Sequence, residues 1–329
     1  MNSLKRFVLL ILALLLAFSA VSCNRTVDTG DESEHESDTA EPSVEAVSPD
    51  KKYSVHGIDD AELITGINCE YALLTELDGL KVVATRNSSK LMYPASMTKV
   101  MTFIVAYENA DSLEAQTEIT NEIKSKYADA SRIGIDVGDL MTTEQLLYAL
   151  LLESDTDAAI ALAQYVAGGE EQFVELMNKK AEELGLTSTR FANVTGLHHE
   201  DHYTTAAEMT AIFAYALQNS LFRKIITTES YVTYLDYYDG GVLKNYRITF
   251  KNTTISPDKG RFAKNKVSLK FGDGRIIGGK TGYTLEAKYC LALLVRGESG
   301  KEYILITAKA DTQKDSARDS LNICTKYAE

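Results

Sequence analysis

The chain has 329 residues, enough for one large domain or two ordinary ones, and 45% of them are hydrophobic while 25% are charged. This balance is typical of a folded globular protein and excludes a chain that is disordered throughout or that crosses a membrane many times. The formal net charge of −13, without a clustered basic stretch, argues against a protein that binds nucleic acid.

Residues 1–22 have the layout of a secretory signal peptide. Lys5 and Arg6 precede a nearly unbroken apolar run, which is too short and too close to the terminus for a comfortable membrane-spanning helix. The run ends in Ala20–Cys23, which resembles the cleavage site of bacterial lipoproteins. We therefore predict cleavage before Cys23 and lipidation of that cysteine. The alternative is a single uncleaved membrane anchor.

Residues 23–60 are predicted to form an acidic, disordered tether. Nine acidic side chains lie between residues 24 and 50 against Arg25 alone, a net charge of −8, and this stretch has no aromatic residue. Such a segment repels itself and cannot bury a core. We expect the folded domain to occupy residues 61–329.

Three cysteines remain after Cys23, namely Cys69, Cys290 and Cys324. Their odd number and the lack of a Cys-x-x-Cys spacing argue against a disulfide framework and against a cysteine-based metal site. At most one pair could form, and we expect the three side chains to be buried like small apolar residues.

Two strand-like runs open the domain, starting at Tyr71 and Leu80, and the intervening Asp-Gly pair predicts a hairpin turn. A helix is predicted to begin near Ser96, because Pro and Ser are residues that open helices. Another begins at Thr142 with the pattern of a capping box. Ser154–Asp157 interrupts the helical pattern, which then resumes in three segments, 158–167, 170–184 and 206–218.

The final third of the chain changes to the two-residue period of β-strands. Strands are predicted to begin near Tyr231, Tyr246, Ile276, Tyr289 and Tyr303. A turn at 297–300 joins the last two, and a helix over 311–327 closes the chain. The pattern predicts an α+β fold, in which an antiparallel sheet is built from both ends of the chain and a helical subdomain is inserted between them.

Ser96 and Lys99 are the first candidates for chemistry. They project from the same face of the predicted helix, one turn apart. An amine beside a hydroxyl at a helix N-terminus can remove the hydroxyl proton, and unpaired backbone N–H groups can stabilise an oxyanion. Ser-x-x-Lys alone is a weak signal, because many amphipathic helices begin this way with Ser as a simple cap.

Two further stretches strengthen this interpretation. Gly278–Thr284 places a cation and a hydroxyl next to glycines on a predicted strand, where a substrate carboxylate could approach the backbone. A glycine bulge at a strand end is the plainer explanation. Ser154-Asp155-Thr156 places polar side chains at a helix junction, where they could also be no more than an N-cap.

Together the three stretches carry a family resemblance. In this order they resemble the motifs of the penicillin-recognising serine enzymes: Ser96-x-x-Lys99, Ser154-x-Thr156 and Lys280-Thr281-Gly282. From about Ile64 to the C-terminus the chain is similar to the low-molecular-mass penicillin-binding proteins that act as serine D-alanyl-D-alanine carboxypeptidases. The resemblance implies a β-lactamase/transpeptidase-like fold, no cofactor and no metal.

The resemblance also implies roles for individual residues. Ser96 would attack the D-Ala-D-Ala peptide carbonyl and form an acyl-enzyme, Lys99 would be the general base, and Ser154 would pass a proton to the departing D-alanine. The implied substrate-binding residues are Thr156, Lys280, Thr281, Gly282 and Tyr283. Among these, Lys280 and Thr281 would hold the terminal carboxylate, and the N–H groups of Ser96 and Tyr283 would form the oxyanion hole.

This chain departs from the family pattern in the second motif. Thr156 stands where the family has Asn, so one hydroxyl replaces an amide and offers fewer hydrogen bonds. Asp155, where the carboxypeptidases often have Gly, adds a possible negative charge. Loss of a positioned donor can lower a rate on the order of a hundredfold, so reduced or altered activity is one expectation.

The implied partners are peptidoglycan stem peptides, β-lactam antibiotics as acylating inhibitors, and a membrane contacted through the N-terminal lipid. We expect an extracytoplasmic protein anchored to the bacterial cell membrane as a lipoprotein, in which the lipid replaces the C-terminal anchor of many members. Three rivals stay open: a non-catalytic binder of wall peptides or penicillins, a β-lactamase-like hydrolase, and a metallopeptidase using the histidines of residues 198–202.

Overall fold

A seven-stranded sheet unites the two ends of the chain in the computed structural model, which describes residues 53–127 and 132–329. Its strands lie in the order β1-β3-β2-β11-β10-β9-β8, and all neighbours are antiparallel except β1 and β3. The strands are β1 Glu62–Leu63, β2 Tyr71–Glu76, β3 Val82–Arg86, β8 Lys270–Phe271, β9 Gly274–Thr284, β10 Lys288–Arg296 and β11 Glu302–Ala310. This architecture confirms the predicted α+β class with strands from both ends.

The central strands are covered on both faces, which explains why they read as continuous apolar runs. Residues 290–295 of β10 are all buried. Ala292 and Leu294 belong to the core shared with the helical block, whereas Leu291 and Leu293 face a second core with the C-terminal helix α9, Gln313–Tyr327.

The middle of the chain forms the helical block. Its helices are α1 Lys99–Asn109, α2 Asn121–Ser125, α3 Thr143–Tyr148, α4 Thr156–Ala167, α5 Glu170–Glu183, α6 Ala206–Ala216 and α7 Ser220–Thr227, and a short helix α8, Arg261–Lys264, follows later. The capping box predicted at Thr142 is present, with Gln145 as its partner. The first eight residues of α1 are all buried, so this helix runs through the centre of the block.

A second sheet lies outside the expected arrangement. It has the order β4-β5-β6-β7, with β4 Gln116–Glu118, β5 Asp139–Thr142, β6 Ser230–Asp239 and β7 Val242–Lys251. Two strands predicted for the final third, β6 and β7, therefore do not join the large sheet. Instead β6 pairs with β5 from the helical region, and β7 pairs with β6. The reason is packing: Leu235 and Phe250 are fully buried, and Tyr231 stacks on Tyr148 at 3.8 Å between ring centroids.

The packed domain begins earlier than the expected boundary at residue 61. Tyr53 is buried and its ring meets Tyr215 edge-on at 5.1 Å, and His56 forms a β-bridge with Lys81. The last residues of the predicted tether are therefore part of the folded domain, because the Tyr53 side chain packs in its core. The predicted signal peptide, Cys23 and the rest of the tether lie outside the described residues.

The described cysteines are buried and free, as expected. Along residues 53–127 and 132–329, no helix combines the length and the apolar character that crossing a bilayer requires.

Candidate active site

Ser96 lies in a single 3₁₀ turn, Ala95–Thr98, that leads directly into α1. It does not act as a side-chain cap: neither the turn nor α1 has a side-chain capping bond at its start. Ser96 is half-buried, and Lys99 Nζ donates to its Oγ at 3.3 Å. The predicted pair is therefore in contact, and the simple capping explanation is wrong.

Lys99 is buried without a carboxylate in direct contact. Only 1% of it is exposed, and its Nζ donates to the backbone oxygen of Thr195 at 2.7 Å. Burial disfavours the charged ammonium and lowers the pKa of Lys99 to about 7, although the nearby Asp155 charge acts in the opposite direction. A large fraction of Lys99 is thus an uncharged amine near neutral pH.

The second motif forms a sharp helix junction. A π-helical turn, Ala149–Glu153, extends α3, and Ser154 then adopts a left-handed conformation with φ of 60°. Asp155 caps α4, accepting from the N–H of Ala158 at 2.7 Å and of Ile133 at 2.9 Å. Asp155 is fully buried, and burial raises its pKa to about 6 despite these two hydrogen bonds.

The third motif lies on β9, next to the Ser96 turn. A Cβ on Gly282 would lie 3.2 Å from the N of Ser96 and 3.1 Å from the oxygen of Pro94, so glycine permits this close approach. The Thr281 hydroxyl is 2.9 Å from that of Thr253. Lys280 is fully buried, with its Nζ donating to the Thr281 oxygen at 2.8 Å, and burial, together with the Lys99 charge, holds its pKa well below the usual range.

The three motifs meet in one cleft of about 320 Å³. Seven of the eight predicted catalytic and substrate-binding residues line it: Ser96, Lys99, Ser154, Thr156, Thr281, Gly282 and Tyr283. Lys280 is the eighth; it is fully buried and donates to the backbone oxygen of Thr281, its neighbour in the cleft lining. Tyr283 is 48% exposed and forms part of the rim.

Arg261 is a cleft residue that the sequence analysis missed. It is 4% exposed, and its guanidinium donates to the oxygens of Cys290 at 2.7 Å and Gly282 at 3.2 Å. Its Nε has no partner within the described part of the chain. Burial lowers the pKa of Arg261 to about 10. No local pattern marks this arginine, because its importance comes from contacts with distant residues of β9 and β10.

Three basic side chains are thus buried at one cleft of an acidic protein: Lys99, Lys280 and Arg261. Among the described residues none of the three forms a salt bridge with a carboxylate. Buried charges are costly without counter-charges. The arrangement therefore suits a ligand that carries its own negative group.

A loop at 193–197 was also missed, and it supplies one wall of the cleft. Asn193 shapes it by accepting from the N–H groups of Thr195 and Gly196 at 3.1 and 2.8 Å and donating to the Leu197 oxygen at 2.9 Å. The loop presents the Thr195 carbonyl to Lys99. The polar residues and the glycine of Asn193-Val194-Thr195-Gly196 are typical of a turn, but no local pattern shows that this turn contacts Lys99.

The histidine cluster does not form a metal site. The His202 ring is buried against Thr98, whereas His198 faces Tyr93 and Glu286. Within residues 53–127 and 132–329, no three His, Cys, Asp or Glu side chains are grouped so that they could hold a metal ion. The metallopeptidase alternative loses its proposed ligands.

Sequence comparison identifies similar proteins. The family model described as D-alanyl-D-alanine carboxypeptidase matches residues 59–312. D-alanyl-D-alanine carboxypeptidase DacF of Bacillus subtilis is 35% identical over 246 residues, which are 74% of this chain and 58% of that protein. DacC of Escherichia coli is 31% identical over 241 residues, 70% of this chain and 54% of that protein. The chain thus spans little more than half the length of these two relatives.

Structure comparison agrees. The Streptomyces K15 DD-transpeptidase is 28% identical, with a TM-score of 0.70, over 79% of this chain and 96% of that one. A D-alanyl-D-alanine carboxypeptidase from Mycobacterium tuberculosis is 25% identical, with a TM-score of 0.64, over 80% of this chain and 92% of that one. Both likenesses span the large sheet and the helical block.

The lowered pKa of Lys99 can be measured directly. With ¹⁵N-labelled lysine, the Nζ resonance that disappears in Lys99→Met should titrate near pH 7 and not near the usual 10.5. In Asp155→Asn the same resonance should titrate at lower pH, because the carboxylate that favours the ammonium is gone while the cap to Ala158 is kept. A wild-type titration near 10, or an upward shift in the variant, contradicts the burial argument.

Proposed function

Because the chain belongs to the D-alanyl-D-alanine carboxypeptidase family, we propose that it is a serine hydrolase that removes the terminal D-alanine from peptidoglycan stem peptides. The observation that carries this proposal is the contact between the Ser96 hydroxyl and the buried amine of Lys99, inside a cleft that both residues line. A hydroxyl next to an uncharged amine is a ready nucleophile.

We propose the following route for acylation. Uncharged Lys99 takes the proton of Ser96 as Oγ bonds to the carbonyl carbon of the D-Ala-D-Ala peptide bond. The N–H groups of Ser96 and Tyr283 stabilise the negative oxygen of the tetrahedral intermediate. When the C–N bond breaks, the proton passes through the Ser154 hydroxyl to the amine of the departing D-alanine.

We propose that the buried basic side chains favour a substrate with a free terminal carboxylate. Thr281 and Arg261 both line the cleft. Lys280 donates to the backbone oxygen of Thr281, and Arg261 donates to that of Gly282. A carboxylate placed here would lie near the charged Arg261 guanidinium, and its negative charge would favour the ammonium form of Lys280. In surroundings of low dielectric such interactions are strong. Lys99 acts as the uncharged base and supplies no positive charge. A peptide that continues beyond this residue has no such charge to place there.

Deacylation requires a water molecule in place of D-alanine. Lys99, uncharged again after the proton has left, takes a proton from this water as it attacks the ester. The ester C–O bond then breaks, and Lys99 returns the proton to Ser96 Oγ. Thr156 bears on both steps, since it lines the cleft with a hydroxyl where the family has an amide. This substitution favours one second candidate, a protein that is acylated and then turns over slowly, acting mainly as a binder.

A fluorescent penicillin and a D-Ala-D-Ala peptide test the proposal together. We expect covalent label on the peptide that contains Ser96, release of D-alanine from the substrate, and loss of both in Ser96→Ala. Wild type and Ser96→Ala should unfold at the same temperature, so that the loss of label and of D-alanine release is due to the missing hydroxyl and not to unfolding. Label without release supports the binder, and rapid turnover of the antibiotic supports a β-lactamase. A protein that is neither labelled nor active contradicts the acyl-enzyme.

We also propose that the protein works outside the cytoplasm, anchored to the bacterial cell membrane by a lipid on Cys23. The basic start, the apolar run and the Ala20–Cys23 sequence support this proposal. An anchor at this end is compatible with the described domain, whose helices include none suited to spanning a bilayer. The acidic residues that follow would keep the domain away from an anionic surface.

Replacing Cys23 tests the anchor. Intact mass of the membrane-extracted protein should correspond to a chain that begins at Cys23 and carries a diacylglyceryl group, and Cys23→Ser should lose that mass. Cys69→Ser, which alters a buried cysteine, is the matched control and should keep it. The lipid is ruled out if Cys23 is unmodified on the mature chain, or if residues 1–22 are still attached.

A further inference from the structure

The residue before Ser96 holds an unfavourable backbone conformation. Ala95 has φ of 48°, in the left-handed region that residues with a Cβ rarely adopt. Such a conformation is unfavourable and persists only where the surrounding contacts hold it. Because Ala95 and Ser96 share a peptide unit, the orientation of the Ser96 N–H depends on what holds Ala95.

Two contacts fix the Ala95 carbonyl. The Thr98 hydroxyl donates to its oxygen at 2.8 Å. On the other side the loop at 193–197 approaches so closely that a Cβ on Gly196 would lie 1.9 Å from the same oxygen. The carbonyl is thus held between a hydrogen bond and a backbone surface.

The hydrogen-bond direction at Thr98 determines the state of His202. A carbonyl can only accept, so the single hydroxyl proton of Thr98 points to Ala95. The Thr98 oxygen, 2.8 Å from His202 Nε2, must therefore accept from that nitrogen. At the other side of the ring the N–H of Ala192 donates to Nδ1 at 3.3 Å, so Nδ1 carries no proton.

His202 is built to stay in this neutral form. It is 2% exposed and meets the Phe191 ring edge-on at 5.6 Å. Burial, with smaller effects from His199, His198 and Lys99, lowers its pKa to about 3. Its neighbours in the chain are also anchored, since Tyr203 pairs with Arg190 and Thr204 with Met92 through backbone bridges.

We propose that His202 is a positioning residue for the acylation of Ser96, acting through Thr98 on the Ala95 carbonyl. The inference rests on the proposed function, because it assigns how the nucleophile of that reaction is oriented. His202 itself lies outside the cleft lining and touches no reacting atom. Three hydrogen bonds connect the turn that carries Ser96 to residue 192: Ala192 N–H donates to His202, His202 to Thr98, and Thr98 to Ala95. Residue 192 is next to the loop whose Thr195 carbonyl accepts from Lys99.

Matched variants separate the hydrogen bond from the bulk of the side chain. In His202→Gln the amide nitrogen can replace Nε2 as the donor, whereas His202→Phe keeps a ring and loses the donor. Thr98→Ser keeps the hydroxyl, and Thr98→Val loses it. The acylation rate constant with a fluorescent penicillin should fall on the order of a hundredfold in the Phe and Val variants, because a small misplacement of a nucleophile has effects of this size. The Gln and Ser variants should stay within about tenfold of the wild type.

A double-mutant cycle tests whether the two side chains act as one unit. We expect His202→Phe with Thr98→Val to be no slower than either single variant, while the dissociation constant for non-covalent penicillin stays unchanged. Effects on the acylation rate that multiply in the double variant, or a His202→Gln as slow as His202→Phe, overturn the proposal. The proposal is also overturned if the acylation rate falls only in variants that have lost thermal stability, and in proportion to that loss.

A readout independent of activity separates this inference from the proposed function. In ¹⁵N-histidine spectra of the whole protein, His202 should be neutral, with the proton on Nε2, at neutral pH. A proton on Nδ1, or a charged ring, contradicts the proposed hydrogen bonds from Ala192 through His202 and Thr98 to Ala95, even if Ser96 is readily acylated. If the wild type is not acylated, the proposed function fails, and the role of His202 in acylation fails with it, whereas the tautomer still decides whether the hydrogen-bond chain exists.

Discussion

The burial of one amine, Lys99, is the constraint on which the rest of this site depends. An exposed lysine is charged at neutral pH and cannot take a proton from serine. Here the first turns of α1 lie inside the helical block. Among the residues that the structure describes, Nζ hydrogen-bonds only to the Ser96 hydroxyl and the Thr195 carbonyl. Neither partner carries a charge that would hold the ammonium form. The fold thus converts an ordinary side chain into a base, and the penalty of desolvation is the source of the chemistry.

The sequence predicted the parts of the site that have local signals. Ser96 and Lys99 are one turn apart, the polar break at Ser154 interrupts an apolar helix, and the glycines around Lys280 mark a strand that something approaches closely. Each is readable because spacing and residue type carry it within a few residues. The α+β class was predictable for the same reason, because the spacing of apolar residues changes from the helical period to the two-residue period of strands along the chain.

Other features depend on contacts between distant segments, and no local pattern encodes them. Tyr53 belongs to the core because Tyr215 receives its ring, although the residues before it look like tether. The strands β6 and β7 read like members of the large sheet, yet β5 pairs with β6. Arg261 is an unremarkable residue in the sequence and becomes part of the cleft only where β9 and β10 offer it carbonyl groups. The left-handed conformation of Ala95 likewise persists only because Gly196 and Thr98 hold its carbonyl in place.

The dependence of the acylation rate on pH tests the central claim, that uncharged Lys99 activates Ser96, most directly. With a penicillin whose own ionisation does not change over the range, the rate constant should rise about tenfold per pH unit below the pKa of Lys99, about 7, and level off above it. The opposite result is a rate that is flat across neutral pH, or one that keeps rising toward pH 10 as an ordinary lysine would require. Either outcome contradicts a buried, uncharged base beside Ser96.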